Sequence, residues 1–305
     1  MRRGRVARRG AFRSVILAYL AYLDEEVDGG RVQESTRQNY RRELELIASG
    51  PCGGIPASEM RPALVQAHLD GLRDHPGKQQ ISRTALSALQ KWALVRDMLP
   101  YPITTGTQII GIQGGHTPWT DEQVTYGEQH AKPLMSRIVT LMANTGQRGS
   151  DIVRMRWSDV EDYQGRPGIN VTQQKTGVQL WVPFTQELIA RMATWQRAPT
   201  FLVLNRDGTQ LTRPEISNLW RRELGRREIM APLKGLVLHG LRGTAVQRLR
   251  RAGASTGQIC DCVGMSPKMI ERYLRFSVKR DNALAAVISL EAARERKRDS
   301  GVVSI

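Results

Sequence analysis

Cysteine is scarce in this chain: Cys52, Cys260 and Cys262 are all there is. An odd count with one Cys-x-Cys pair excludes a disulfide framework, and it lacks the two spaced pairs of a structural zinc site. The histidines His68, His75, His116, His130 and His239 are scattered, so no metal site is expected. A reducing compartment fits this usage. Long apolar runs are missing too. The longest, about Val15 to Leu23, falls far short of the roughly 20 residues of a spanning helix, so no membrane partner is expected. Acidic residues are outnumbered, 29 against 45 lysines and arginines. The resulting +16 net charge points to an anionic partner, nucleic acid first. The arginine-rich stretch from Met1 to Arg13 precedes apolar residues, as in a signal peptide. Tyr19, Tyr22 and Asp24-Glu25-Glu26 follow at once without a small-residue cleavage pattern, so a disordered basic arm is the better reading.

What is present suffices for a folded protein. With 305 residues, of which 40% are hydrophobic and 24% charged, the chain has the length of about two domains of roughly 150 residues. Both halves carry a basic surplus, so both are candidates to touch the anion. A basic arm is expected over 1–11 and a helical domain over 12–100. Its helices are a stripe through Val15, Leu17, Leu20 and Leu23, a segment from Ser35 to Gly50-Pro51, one with Leu64, Val65, Leu69 and Leu72, and one from about Ser82 to Leu99. Residues 101–118, with Pro102, several glycines and threonines and no helical period, read as an interdomain linker, although Ile109, Ile110 and Ile112 could pack. A second domain follows over 119–305. It has a helix over Lys132 to Asn144 stopped at Thr145-Gly146, a short helix from about Gly149 to Arg156, and β-like runs Ile169–Thr172 and Val178–Phe184 flanking a turn. Mainly helical sequence follows, to a last helix over 280–298.

Within the second domain, polar residues that are weak signals singly fall into an ordered set. Arg148 lies in Thr145-Gly146-Gln147-Arg148-Gly149-Ser150-Asp151, where one helix has ended and another begins; an arginine there reaches a phosphate that also faces backbone N–H groups. Lys175 occupies the hairpin turn Gln173-Gln174-Lys175-Thr176-Gly177. His239-Gly240-Leu241-Arg242 opens a helix and puts imidazole and guanidinium on one face. Tyr273 sits near the end of a short helix, in Ile270-Glu271-Arg272-Tyr273-Leu274. Taken alone, a turn lysine is usually solvated, such a histidine is usually a cap, and such a tyrosine is usually packed.

Together these elements resemble the tyrosine recombinase family, the phage integrases. The matches are Thr-Gly-x-Arg-x-Ser-Asp ending at Asp151, Arg-Trp-Ser-Asp-Val at 156–160, Lys175, His-x-x-Arg at 239–242, and Tyr273 downstream. The likeness is specific over about 120–290. Over 1–100 it is architectural, a small helical domain like the family's core-binding domain. The resemblance implies a mainly α fold with a small β-hairpin or sheet: a helical core-binding domain and a mixed α/β catalytic domain. It implies a site-specific recombinase or integrase that cleaves and rejoins double-stranded DNA through a covalent 3′-phosphotyrosyl intermediate. Tyr273 would be the nucleophile, Arg148 and Arg242 would grip nonbridging oxygens, His239 would act as base and Lys175 as general acid. Asp151 would orient Arg148. Arginines would neutralise the charge, so no cofactor or metal is expected.

One departure stands out. Family members carry His or Trp in the Gly-x-Ser segment before the nucleophile, and here Val263-Gly264-Met265-Ser266-Pro267 puts Met265 in that place. A thioether donates no hydrogen bond, so a phosphate contact is lost or moved to Ser266 or Lys268, unless the position mainly packs against Tyr273. Arg154, Arg156, Arg221, Arg222, Arg226 and Arg227 are expected as phosphate-positioning or exposed residues, and Cys260 and Cys262 as packed thiols. The family's terminal helix docks into a neighbouring protomer. The expected assembly is therefore a homo-tetramer on DNA through residues 280–298, with an accessory directionality factor possible, in a cytoplasmic, nucleoid-associated protein. With only a basic arm ahead of the first helix, no separate arm-binding domain is expected. Two other readings use the same residues: a type IB topoisomerase-like relaxase, and a non-catalytic DNA-binding regulator on a recombinase scaffold, which Met265 alone supports.

Overall fold

In the computed structural model, residues 10–111, 116–197 and 200–274 are described, with 283, 286–292 and 294–295 beyond them. The chain forms two compact units, Met1–Gln113 and Gly114–Ile305.

The first unit is built from α1 (Phe12–Asp28), α2 (Glu34–Ser49), α3 (Pro62–Asp70) and α4 (Pro76–Leu94). Prolines open α3 and α4, where the missing N–H costs nothing. Phe12, Ile16, Leu20 and Leu23 form the buried stripe of α1 and meet Leu44 and Ile47 of α2 and Leu86, Leu89 and Ala93 of α4. Asp24 binds Arg37 and Arg41, each at 2.8 Å, which ties α1 to α2. The stretch read as a linker begins as part of this unit. Ile103 is buried in its core. Gln90 Oε1 accepts from the Thr104 backbone N–H at 2.6 Å, and Gln79 Oε1 accepts from Ile110 N–H at 2.7 Å. Amide side chains hold this segment, so no hydropathy period announces it.

The second unit starts on Trp119, buried between α5 (Asp121–His130) and α10 (Gly240–Arg251). Thr120 caps α5 in a box with Gln123. α6 (Pro133–Thr145) carries the apolar face expected of it, and Gly146 ends it in the left-handed region at φ 64°. α7 (Gly149–Ile152) follows, shorter than the expected 149–156 segment. The sheet has strand order β1-β2-β3, all antiparallel, with β1 (Val160–Tyr163), β2 (Arg166–Thr172) and β3 (Gln179–Pro183). The hairpin was legible, whereas β1 was not: Val-Glu-Asp-Tyr is mostly exposed and lacks apolar alternation. Helices α8 (Gln186–Ala193), α9 (Arg213–Leu224), α10, α11 (Thr256–Val263) and α12 (Pro267–Leu274) complete the described part. Of the helix expected over 280–298, residues 283, 286–292 and 294–295 are helical; Leu284 and the rest lie outside the described residues.

The fold is therefore mainly α with a small antiparallel sheet. One buried hydroxyl ties the unit's beginning to α10: Thr244 Oγ1 accepts from Trp119 N–H at 2.8 Å and lies 2.9 Å from Trp119 O. Replacing Thr244 by valine keeps the shape but leaves that N–H unpaired. Denaturant unfolding followed by tryptophan fluorescence should show a loss of about 1–3 kcal/mol.

Candidate functional site

Two helix ends and one helix start make the floor of the site. α6 ends at Gly146, and α11 ends at Gly264, left-handed at φ 62°. Arg242, in the first turn of α10, lies between them with only 1% of its surface exposed. Its Nη1 donates to Gly146 O and its Nη2 to Val263 O at 2.9 Å. Among the described residues no carboxylate forms an ion pair with it, so backbone carbonyls at the negative ends of two helices hold a buried cation. Burial, then the nearby Arg148 charge, pulls its pKa down to about 10, still charged at neutral pH.

Arg148 is the extended residue just before α7, and its Nη1 donates to Gln173 Oε1 at 2.8 Å. Asp151, expected to orient Arg148, forms an ion pair with that same nitrogen at 3.9 Å through Oδ2, which is buried and has no hydrogen-bond partner among the described residues. Its Oδ1 accepts from the Gln174 backbone N–H at 3.0 Å. Lys175 projects, exposed, from the β2–β3 turn. His239 precedes α10, and Tyr273 sits buried on α12 with its Oη 3.2 Å from His239 Nε2. The tyrosine ring lies so close to α10 that a Cβ on Gly243 would come within 2.7 Å of its Cδ1.

These residues come from distant stretches of sequence, yet Arg148, Lys175, His239, Arg242, Met265 and Tyr273 all line one cavity of about 870 Å³. Ser266 lines it as well, whereas Lys268 does not. Met265 packs in the same small cluster as Tyr273, Val246, Ile259 and Ile270. Arg213, which opens α9, reaches this cavity and was not singled out in the sequence, because no motif surrounds it. His116 meets His239 edge-on, with ring centroids 5.0 Å apart. Arg154 and Arg156 line a second cavity that shares Ser150 and Arg213 with the first. Arg226 pairs with Glu223 at 2.7 Å, while Arg221, Arg222 and Arg227 are exposed. Cys260 borders the first cavity, and burial raises the Cys262 thiol. Among the described residues no cluster of His, Cys, Asp or Glu could hold a metal ion.

The electrostatics favour a bound anion. Burial drives the His239 pKa down to about 4, helped by His116 and the charges of Arg242, Arg148 and Arg213. The imidazole is neutral at pH 7, so its Nε2 can accept the Tyr273 proton in the Nδ1–H tautomer. Burial raises the Tyr273 phenol, while Arg242 and Arg148 draw it back. A neutral acceptor beside a protonated phenol, facing two guanidinium groups, is an arrangement that can deprotonate a nucleophile as a phosphate is gripped.

The family model described as the phage integrase family matches residues 125–280. The chain belongs to that family. No curated protein sequence matches it. Phage integrases and related recombinases also supply the structural likenesses. One is a lambda integrase dimer bound to a COC′ core site, with TM-score 0.73, 19% identity, and coverage of 88% of this chain and 78% of that one. Another is the Tn1549 transposon integrase in complex with transposon right end DNA, with TM-score 0.68, 14% identity, and coverage of 92% and 100%. A third is the XerH site-specific recombinase bound to a palindromic difH substrate, with TM-score 0.61, 12% identity, and coverage of 83% and 80%. At these identities the likeness is one of fold, and for this integrase family member it extends over the helical unit that the family match leaves out.

The depressed His239 pKa makes the protein's stability depend on pH. The unfolded imidazole takes up a proton near its ordinary 6.5, the folded one only near 4. Stability is therefore full above about pH 6.5 and falls as pH drops from there toward 4. His239→Gln should flatten that fall, and proton NMR should place the free protein's His239 midpoint near 4.

Proposed function

We propose that this chain is a site-specific DNA recombinase that cuts and rejoins double-stranded DNA through a tyrosine-linked intermediate. The observation that carries the reading is a single cavity in which Tyr273 Oη lies against neutral His239, beside Arg148, Arg242 and Lys175. Family membership and three DNA-bound structural relatives support it.

In this reading the scissile phosphate enters the cavity with its nonbridging oxygens on Arg148 and Arg242. His239 Nε2 takes the Tyr273 proton as Oη attacks phosphorus. The P–O5′ bond breaks, Lys175 donates a proton to the departing 5′ oxygen, and the 3′ phosphate stays on Tyr273. Reversal with a different 5′ hydroxyl rejoins the strand, and because the phosphodiester's bond energy is kept in the tyrosyl ester, no ATP is needed. The fixed guanidinium groups act where charge gathers in the transition state; losing one such contact costs about 10²–10³-fold in rate. The helical unit would serve as the core-binding domain. Val287, Ile288 and Leu290, each about half exposed on the last described helical stretch, support docking of that stretch onto a neighbouring protomer in a DNA-bound tetramer.

The test works whatever the target sequence is. The protein is incubated with a nicked duplex library of random sequence, run on a denaturing gel, and the DNA bonded to it is recovered and sequenced. A covalent adduct carrying a defined sequence is expected. Tyr273→Phe should abolish the adduct and leave DNA binding nearly intact. Binding should weaken steeply with salt, because each phosphate contact releases counterions. Binding without any adduct would favour the regulator reading, and site-independent relaxation of supercoils would favour the topoisomerase-like one.

Met265 supplies packing but no N–H donor to the cavity. If the lost donor limits the enzyme, Met265→His will form adduct faster in single-turnover assays. An unchanged or slower rate would assign the position to packing.

A further inference from the structure

We propose that Gln173 is the positioning residue of Arg148, holding that guanidinium in the orientation that strand cleavage needs; this rests on the function proposed above. Arg148 has one side-chain hydrogen bond among the described residues, to Gln173 Oε1, while Asp151 pairs with the same nitrogen at 3.9 Å, beyond hydrogen-bond range. Gln173 lies where β2 enters the turn that carries Lys175, and none of its surface is exposed.

All four hydrogen-bonding valences of its amide are used. Oε1 accepts from Arg148 Nη1 and from Thr176 Oγ1 at 2.9 Å. Nε2 donates to Gln147 Oε1 at 2.8 Å and to Val263 O at 2.9 Å. Gln173 therefore joins three segments: the loop with Arg148, the turn with Lys175, and the end of α11, whose Val263 carbonyl also receives Arg242. One side chain thus sets the spacing between the cations of the cavity. The backbone of Gly264 approaches Nε2 so closely that a Cβ there would collide with it, which fixes the amide from that side as well.

The chemistry of an amide suits the task. A guanidinium on a flexible stem needs a fixed acceptor to aim it, and a carboxylate would do so while cancelling much of its charge. A neutral carbonyl oxygen aims Arg148 without adding a second negative charge beside it. Asp151 meets the same nitrogen only at ion-pair distance, 3.9 Å, and pins the turn through Gln174.

The test is a double-mutant cycle on single-turnover cleavage of the recovered DNA substrate, with DNA affinity measured alongside. Gln173→Leu should slow cleavage about 100-fold, the scale of a misplaced reacting group. Affinity should change far less. In an Arg148→Ala background, Gln173→Leu should cost far less, because the group it aims is gone and only its hold on the turn and on the end of α11 remains. Equal slowing in both backgrounds would overturn the proposal and make Gln173 a general structural residue. Gln173→Glu is the second variant should leucine prevent folding. It keeps both acceptor bonds but adds a charge against Arg148 and loses the two bonds that Nε2 donates, so its loss should shrink without Arg148 rather than vanish. A readout independent of activity comes from ¹⁵N NMR of the arginine side chains. The Arg148 guanidinium, assigned with Arg148→Lys, should rotate slowly in the wild type and quickly in Gln173→Leu; unchanged rotation would overturn the proposal. If no adduct forms in the wild type, the proposed function fails, while the NMR comparison still decides whether Gln173 holds Arg148.

Discussion

A buried cation with no ion pair to a carboxylate among the described residues governs the second unit. Arg242 is almost wholly removed from water, and what it receives in exchange is backbone: the carbonyls of Gly146 and Val263, where α6 and α11 end. A desolvated charge is costly unless its environment is polar and fixed in advance. Here two helix C-termini supply oriented dipoles without supplying a counter-charge. The cavity is left electropositive, and an anion entering it completes the compensation the protein leaves open.

That constraint explains several local features together. Both helices must stop where their last carbonyls face Arg242, and both stop at left-handed glycines, Gly146 and Gly264. Their close packing leaves no room for larger residues, since a Cβ at Gly146 would meet Val263 Cγ1 at 2.8 Å. The hairpin turn is then bound to the same helix ends through Gln173, and to α7 through Asp151. Burial first, and positive charge after it, lower the His239 pKa and keep its imidazole neutral 3.2 Å from Tyr273 Oη, while burial raises the phenol and Arg242 and Arg148 draw it back.

The first unit follows a different logic. Its core is an ordinary helical stripe packing, and its one unexpected feature is how amides of Gln79 and Gln90 tie residues 104–110 to α4. Hydropathy finds helices through apolar periodicity and has no signal for a segment held by side-chain amides. The same blindness hid β1, whose residues face solvent.

The linear order of residues determined the helices with clear apolar faces, the hairpin and the stops at glycine, because these depend on neighbours within a few positions. Motif spacing in Thr145–Asp151 and 239–242, with Tyr273 downstream, also pointed to the residues that line the cavity. Only tertiary structure decided which groups touch: that Gln173 hydrogen-bonds Arg148 beside its ion pair with Asp151, that Arg213 and His116 reach the site, and that Arg242 rests on helix ends. Such partners are tens of residues apart in the chain. Their contacts arise from how α6, α10, α11 and the sheet pack, and no local pattern encodes that geometry.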